Sequence, residues 1–343
     1  MAAPSGPGPG RIAVIGDVGG QLPALVDQLA ALGADPDTLA LPADLTVIQV
    51  GDLMHRGPDS PGVIDLVDRV MTEQPGHWVQ LVGNHEALYL GLPQFHWPER
   101  LPGPSQEVIN RWWGTARLRI AAAVEVGGQD AQWLITHAGL TQGFWRHFLG
   151  QPGSGADAAR SLNRLVGSLH EKWLFRPGVM VTETIDLSAG PMWASAPDEL
   201  IPSWREAALQ MPFQQVHGHS SLIDWSTGRH LGLADRVGPF TEDPVLRHTT
   251  SEVGDRRIVG IDPGTAGGPR RPGGRWCWTT RGWSRADHPD DAVSVQKVPL
   301  PHGGRGTLCT LAVRVSRPTA STDPWPPGPC PRRGRPAAWP GSR

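Results

Sequence analysis

The sequence predicts an α/β fold built around a parallel sheet. Three observations point there. Apolar, β-branched runs alternate with segments of helical spacing from Arg11 onward. Their order, strand, helix, strand, helix, strand, is the βαβαβ pattern. Polar residues also recur just past the carboxyl ends of the strands, where open α/β sheets place ligands. A chain of 343 residues has room for one large domain of this kind or two smaller ones.

The elements follow from the same reading. RIAVIGD is a short buried strand, with β-branched Ile12, Val14 and Ile15, that stops at a Gly-Asp turn. Leu22, Leu25, Val26, Leu29 and Leu32 then fall at helical spacing, and Gly33 closes that helix. LTVIQVGD is a second strand, a helix runs from about Val63 to Met71, and HWVQLVGNHE is a third strand. AQWLITHAGL and FQQVHGHSS are two further strands that end in His, separated by a long, Trp-rich region expected to be largely irregular. RRIVGIDPG is a last strand, ending in Asp-Pro-Gly.

Composition divides the chain. A content of 39% hydrophobic and 19% charged residues is globular, but 43 Gly and 35 Pro exceed what a packed domain uses. From Ala266 to Arg343 there are 13 Lys+Arg against 4 Asp+Glu, in a chain whose total charge is -2, so the preceding body is acidic. An acidic body argues against nucleic-acid binding by the fold. Cys277, Cys309 and Cys330 all lie in the basic tail, which leaves His, Asp, Glu and Asn to hold any metal in the body. No stretch approaches the ~20 apolar residues of a membrane-spanning helix, and the start lacks a signal-peptide pattern, so the expected location is cytoplasmic.

Five strand ends carry candidate ligands: Asp17, Asp52, Asn84, His137 and His219. A lone Asp there is as often a turn former. Together, carboxylate, amide and imidazole donors suit manganese, iron or zinc better than thiolate-seeking metals. His217, two residues before His219, is a further candidate by strand alternation.

GDVGG, GDLMHRGPDS, VGNHEAL, THAGL and VHGHSS resemble, in order, five successive motifs of the calcineurin-like metallophosphoesterases, in particular the serine/threonine phosphatase branch and its bacterial relatives. IVGIDPGTAGG resembles a late strand and Gly-rich turn of the same domain. The resemblance implies a four-layer α-β-β-α sandwich of two mixed sheets flanked by helices, spanning residues 11–268. Residues 1–10 are then a flexible leader, and 269–343 an Arg/Pro/Gly-rich tail expected to be disordered, with LCTLAVRV its one candidate strand.

It further implies two divalent ions, manganese foremost and iron or zinc as alternatives. Asp17 would bind the first, Asp52 would bridge both, and Asn84, His137 and His219 would bind the second. His85 would be the general acid, Arg56 would clamp the phosphate with Asn84 beside it, and Glu86 would be structural. The implied substrate is a phosphate monoester, phosphoserine or phosphothreonine in proteins among them. A dinucleoside polyphosphate, a nucleotide, or a phosphorylated partner bound without turnover are the alternatives. Neither membrane nor nucleic acid is an expected partner.

Three positions depart from the family pattern. Gly19 stands where the first metal's imidazole belongs, with Gln21 and His217 as substitutes to test. His55 stands where an Asp orients the catalytic imidazole. Ser195, in MWAS, stands where a second phosphate-binding Arg is often found. Trp97, Trp112 and Trp113 are expected in core or lid packing.

Overall fold

Residues 10–91, 94–126 and 132–264, with the backbone of 310–314, are described by the structure, a computed structural model. The strands in chain order are β1 (Arg11–Ile15), β2 (Leu45–Gln49), β3 (Trp78–Leu81), β4 (Leu118–Arg119), β5 (Ala121–Glu125) and β6 (Gln132–Thr136). They continue with β7 (Gln214–His217), β8 (Ile223–Asp224), β9 (Arg229–His230), β10 (Phe240–Asp243), β11 (His248–Val253), β12 (Arg256–Gly260) and β13 (Thr310–Arg314). One sheet has the order β13-β1-β2-β3-β4, a second the order β10-β11-β12-β7-β6-β5, and β8 and β9 form a small hairpin.

Strand alternation builds the layers. Val14, Ile48, Val50 and Leu81 of the first sheet meet Ala122, Ile135, Val216, Val259 and Ile261 of the second in one apolar cluster. Their neighbours Ala13, Ile15, Val47, Leu134 and Ile258 belong instead to the larger core that the helices share. Side chains alternate faces along a strand, so each sheet buries one face on the other sheet and one under helices. The result is the expected sandwich of two mixed sheets flanked by helices.

The helix Leu22–Ala31 ends one residue short of the expected Leu32, which is its C-cap. The helix Ser60–Glu73 is longer than the expected Val63–Met71 because Asp59 caps it, accepting from the Gly62 N–H at 2.8 Å, and Pro61 suits its first turn. Trp112, fully buried in the helix Gly103–Gly114, donates from Nε1 to Asp68 Oδ1 at 2.7 Å and so locks that helix onto Ser60–Glu73.

One expectation needs correcting. The region between β6 and β7 is not largely irregular: it holds the helices Gln142–His147 and Gly155–Leu165 and several shorter ones. Gly155, Ala158, Ala159 and Leu162 of Gly155–Leu165 are buried at i, i+3, i+4 and i+7, a helical period carried mostly by small residues, and Ser154 caps the helix by accepting from Asp157 N–H at 3.0 Å. The tail's one candidate strand is present, since Thr310–Arg314, within LCTLAVRV, pairs antiparallel with the whole of β1 as an edge strand. The remaining leader and tail expectations, and all three Cys, lie outside the described residues. Among the described residues, no helix is long and apolar enough to cross a membrane.

Candidate metal centre

β1, β2 and β3 are parallel in the first sheet, and β6, β7 and β12 are parallel in the second. Asp17, Asp52 and Asn84 follow the first three strands, and His137, His219 and Asp262 follow the other three. All six are buried. The turns that present them are strained: Asp52, His55, Arg56 and His219 have φ of 56°, 70°, 67° and 63°. Non-glycine residues rarely adopt such angles, which cost about 1–3 kcal/mol each and cluster at functional sites.

The polar atoms converge. Asn84 Oδ1 lies 2.9 Å from His137 Nε2 and 3.0 Å from His219 Nδ1, and His137 Nε2 lies 3.5 Å from Asp52 Oδ1. The ligand atoms of Asp52, His137 and His219 all fall within 4.8 Å of one another. Neighbouring ligands ~2.1 Å from one ion are roughly 3–3.5 Å apart, so the 2.9, 3.0 and 3.5 Å contacts suit a first-row divalent ion. His137 is oriented by its other nitrogen, Nδ1, 3.0 Å from the Val50 carbonyl, and His219 Nε2 is buried with no hydrogen-bond partner.

Charge fits as well. Burial raises the Asp17 carboxyl well above the usual range, and the charges of Asp262 and then Asp52 add to that. Burial likewise raises Asp262. Burial acts the same way on Asp52, but the surrounding His85, His137 and Arg56 outweigh it and hold its pKa low. Buried carboxylates crowded together are expensive unless a cation joins them, which the donor set here is suited to hold. Asp17 is fixed by the His219 N–H, 3.1 and 3.2 Å from its two oxygens. Gly218 permits that approach, because a Cβ there would collide with Asp17 Oδ1.

His85 stands beside this cluster. Its N–H donates to Asp52 Oδ1 at 3.0 Å, its Nε2 is 3.8 Å from Asp52 Oδ2, and Arg56 Nη2 donates to that Nε2 at 3.1 Å. Burial, with a smaller push from Arg56, lowers the His85 pKa to about 3 against the opposing charge of Asp52. The guanidinium of Arg56 lies over the Trp97 ring at 5.4 Å, and its Nε is buried with no hydrogen-bond partner. Trp97 and Phe95 wall His85 with ring centroids at 4.7 and 5.2 Å, and Phe95 meets Trp193 at 5.0 Å.

All seven residues singled out from the sequence, Asp17, Asp52, Arg56, Asn84, His85, His137 and His219, thus meet at one edge of the sandwich. Glu86 accepts the N–H groups of Asp52, Leu53 and Gly83 at 2.9, 2.8 and 2.7 Å, tying the second and third motifs together. His217 is outside the cluster: its Nδ1 lies 2.8 Å from the Gly218 carbonyl, and the left-handed turn at His219 breaks the strand alternation that would align the two. Gly19 sits in a turn at φ 54°, so residue 19 does not share a strand face with Asp17. Gln21 lies at the N-cap of Leu22–Ala31. The Ser195 hydroxyl donates to Asp198 Oδ2 at 2.7 Å. Two residues escaped the sequence reading: Asp262, whose strand-end position was a usable signal, and Tyr89, four residues after His85.

A family model for calcineurin-like phosphoesterases matches residues 10–223, and the chain belongs to that family. It is therefore a hydrolase acting on phosphoester bonds, in a family that depends on two metal ions. Among solved structures the chain is similar to a putative diadenosine tetraphosphatase, at 19% identity over 74% of this chain and 83% of that one, with TM-score 0.35. A cold-active protein-tyrosine phosphatase of a Shewanella species matches at 18% identity over 75% and 72%, with TM-score 0.43. A serine/threonine phosphatase of Saccharomyces cerevisiae matches at 15% over 90% and 82%, with TM-score 0.39. No curated protein matches the sequence.

Proposed function

We propose that the chain hydrolyses phosphate monoesters, with phosphoserine or phosphothreonine in proteins as a natural class of substrate. Asp17, Asp52, Asn84, His137 and His219 would hold the two divalent ions, with manganese the foremost candidate. When bound, such ions polarise a phosphoryl oxygen and make water nucleophilic near neutral pH. Arg56 holds the phosphate by paired hydrogen bonds, and its buried, unpartnered Nε is the group left available for that contact. His85, between Arg56 and Asp52, protonates the leaving oxygen from Nε2, which accepts from Arg56 here and takes up its proton when Arg56 turns to the phosphate.

The observation that carries this reading is the convergence of Asn84 Oδ1, His137 Nε2 and His219 Nδ1 beside Asp52. Asp52→Asn tests it. Weakening the shared ligand lowers turnover of a phosphate monoester by at least about a hundredfold and reduces bound metal. Retained turnover with unchanged metal content in that variant removes the reading.

A further inference from the structure

His55 occupies the place beside His85 where a carboxylate was expected, and it does not stand alone. Its Nδ1 lies 2.5 Å from His85 Nδ1, and its Nε2 lies 2.8 Å from the hydroxyl of Tyr89, the one tyrosine of the sequence. The Tyr89 oxygen also accepts the Leu101 N–H at 3.0 Å. The His55 ring is fully buried, and the His55 backbone N–H donates at 2.8 Å to Ser60 Oγ, which in turn donates to Glu99 at 2.9 Å. Trp97 stacks on the ring at 6.0 Å.

One proton assignment satisfies the whole row. A guanidinium only donates, so the contact from Arg56 Nη2 makes His85 Nε2 an acceptor and puts the His85 proton on Nδ1. That Nδ1–H then donates to His55 Nδ1, which puts the His55 proton on Nε2, where it donates to the Tyr89 oxygen. Tyr89 reaches this place because it lies four residues after His85, just past the one-turn helix Asn84–Ala87.

We infer that His55 and Tyr89 act as one neutral positioning unit that accepts the His85 Nδ1 proton and holds His85 Nε2 toward Arg56 and Asp52, in place of a carboxylate. The inference rests on the proposed role of His85 as the acid. For that step His85 takes up a proton from solvent at Nε2 as Arg56 turns from it to the phosphate; the Nε2–H bond then breaks and an O–H bond forms on the leaving group. The ring becomes neutral and keeps its Nδ1 proton, still donated to His55. No charge appears on His55 or Tyr89.

The test compares an aryl phosphate, whose leaving group needs little protonation, with an alkyl phosphate, whose leaving group needs it. His55→Ala should lower kcat on the alkyl ester at least about tenfold more than on the aryl ester, with KM and manganese content little changed. Tyr89→Phe, which removes only the hydroxyl, should give a smaller loss with the same bias, and carries the test if His55→Ala does not fold. His55→Asp should recover most of the alkyl activity. Equal losses on both esters, or no recovery with Asp, overturn the inference. His85→Ala separates the two levels: if it shows the leaving-group bias and the His55 and Tyr89 variants do not, only the positioning unit is wrong. If His85→Ala shows no bias, the acid role and the positioning unit fall together.

Discussion

The backbone N–H of His219 donates to both carboxylate oxygens of Asp17, at 3.1 and 3.2 Å, joining residues 202 apart in sequence. The contact links the end of the first sheet's β1 to the end of the second sheet's β7. Asp17 is thereby oriented by the opposite sheet, although the imidazole expected two residues later is absent.

Gly218→Ala tests that link without removing any ligand. The added methyl collides with Asp17 Oδ1, so the carboxylate must move. The expected outcome is weaker metal binding, read as a roughly tenfold higher manganese concentration for half-maximal activity, with a modest drop in melting temperature. Unchanged manganese dependence in a folded variant would show that Asp17 is not held in this way.

Removal of residues 269–343 takes away β13, which covers the full length of β1. An exposed edge next to the strand that carries Asp17 lowers stability and favours association between chains. The expected result is a lower melting temperature and, in size-exclusion chromatography, material larger than monomer. A truncated chain that melts at the full-length temperature would assign β13 no part in stability.

The central motifs were legible because each ligand follows a short apolar strand, and all but His137, which follows Thr136, stand directly after a Gly. Asp262 was harder to separate, since Asp-Pro-Gly also reads as an ordinary turn. Tyr89 was out of reach because its role depends on His55, which arrives from a different loop. β13 was legible as a strand, but its partner lies at the other end of the chain and its flanks are rich in Pro and Gly. The left-handed turns at Gly19 and His219 defeated the alternation argument for their neighbours, because strand periodicity holds only while the backbone stays extended.

His248 offers a pH test away from the centre. It is buried in β11, its Nε2 has no hydrogen-bond partner, and burial lowers its pKa from 6.5 to about 4, against a small opposing effect of Asp243. Below pH 6.5 the unfolded chain takes up a proton that the folded chain refuses. This contribution is therefore present above pH 6.5 and lost as pH falls toward 4, on the order of 3 kcal/mol in all. In urea unfolding at pH 7.5 and 5, His248→Leu should show a shallower pH dependence than the unmodified chain. Parallel dependences would place the His248 ring in water in the folded state.

If two divalent ions at the joined sheet ends drive phosphomonoester hydrolysis, metal content and turnover must rise and fall together. The expected result is about two equivalents of metal per chain after manganese loading, phosphate release from an aryl phosphate, loss of that release with a chelator, and its return with added manganese. Phosphate release that persists at full rate in chelator-treated, metal-free protein would contradict it. So would a chain that binds two equivalents and hydrolyses no phosphate monoester.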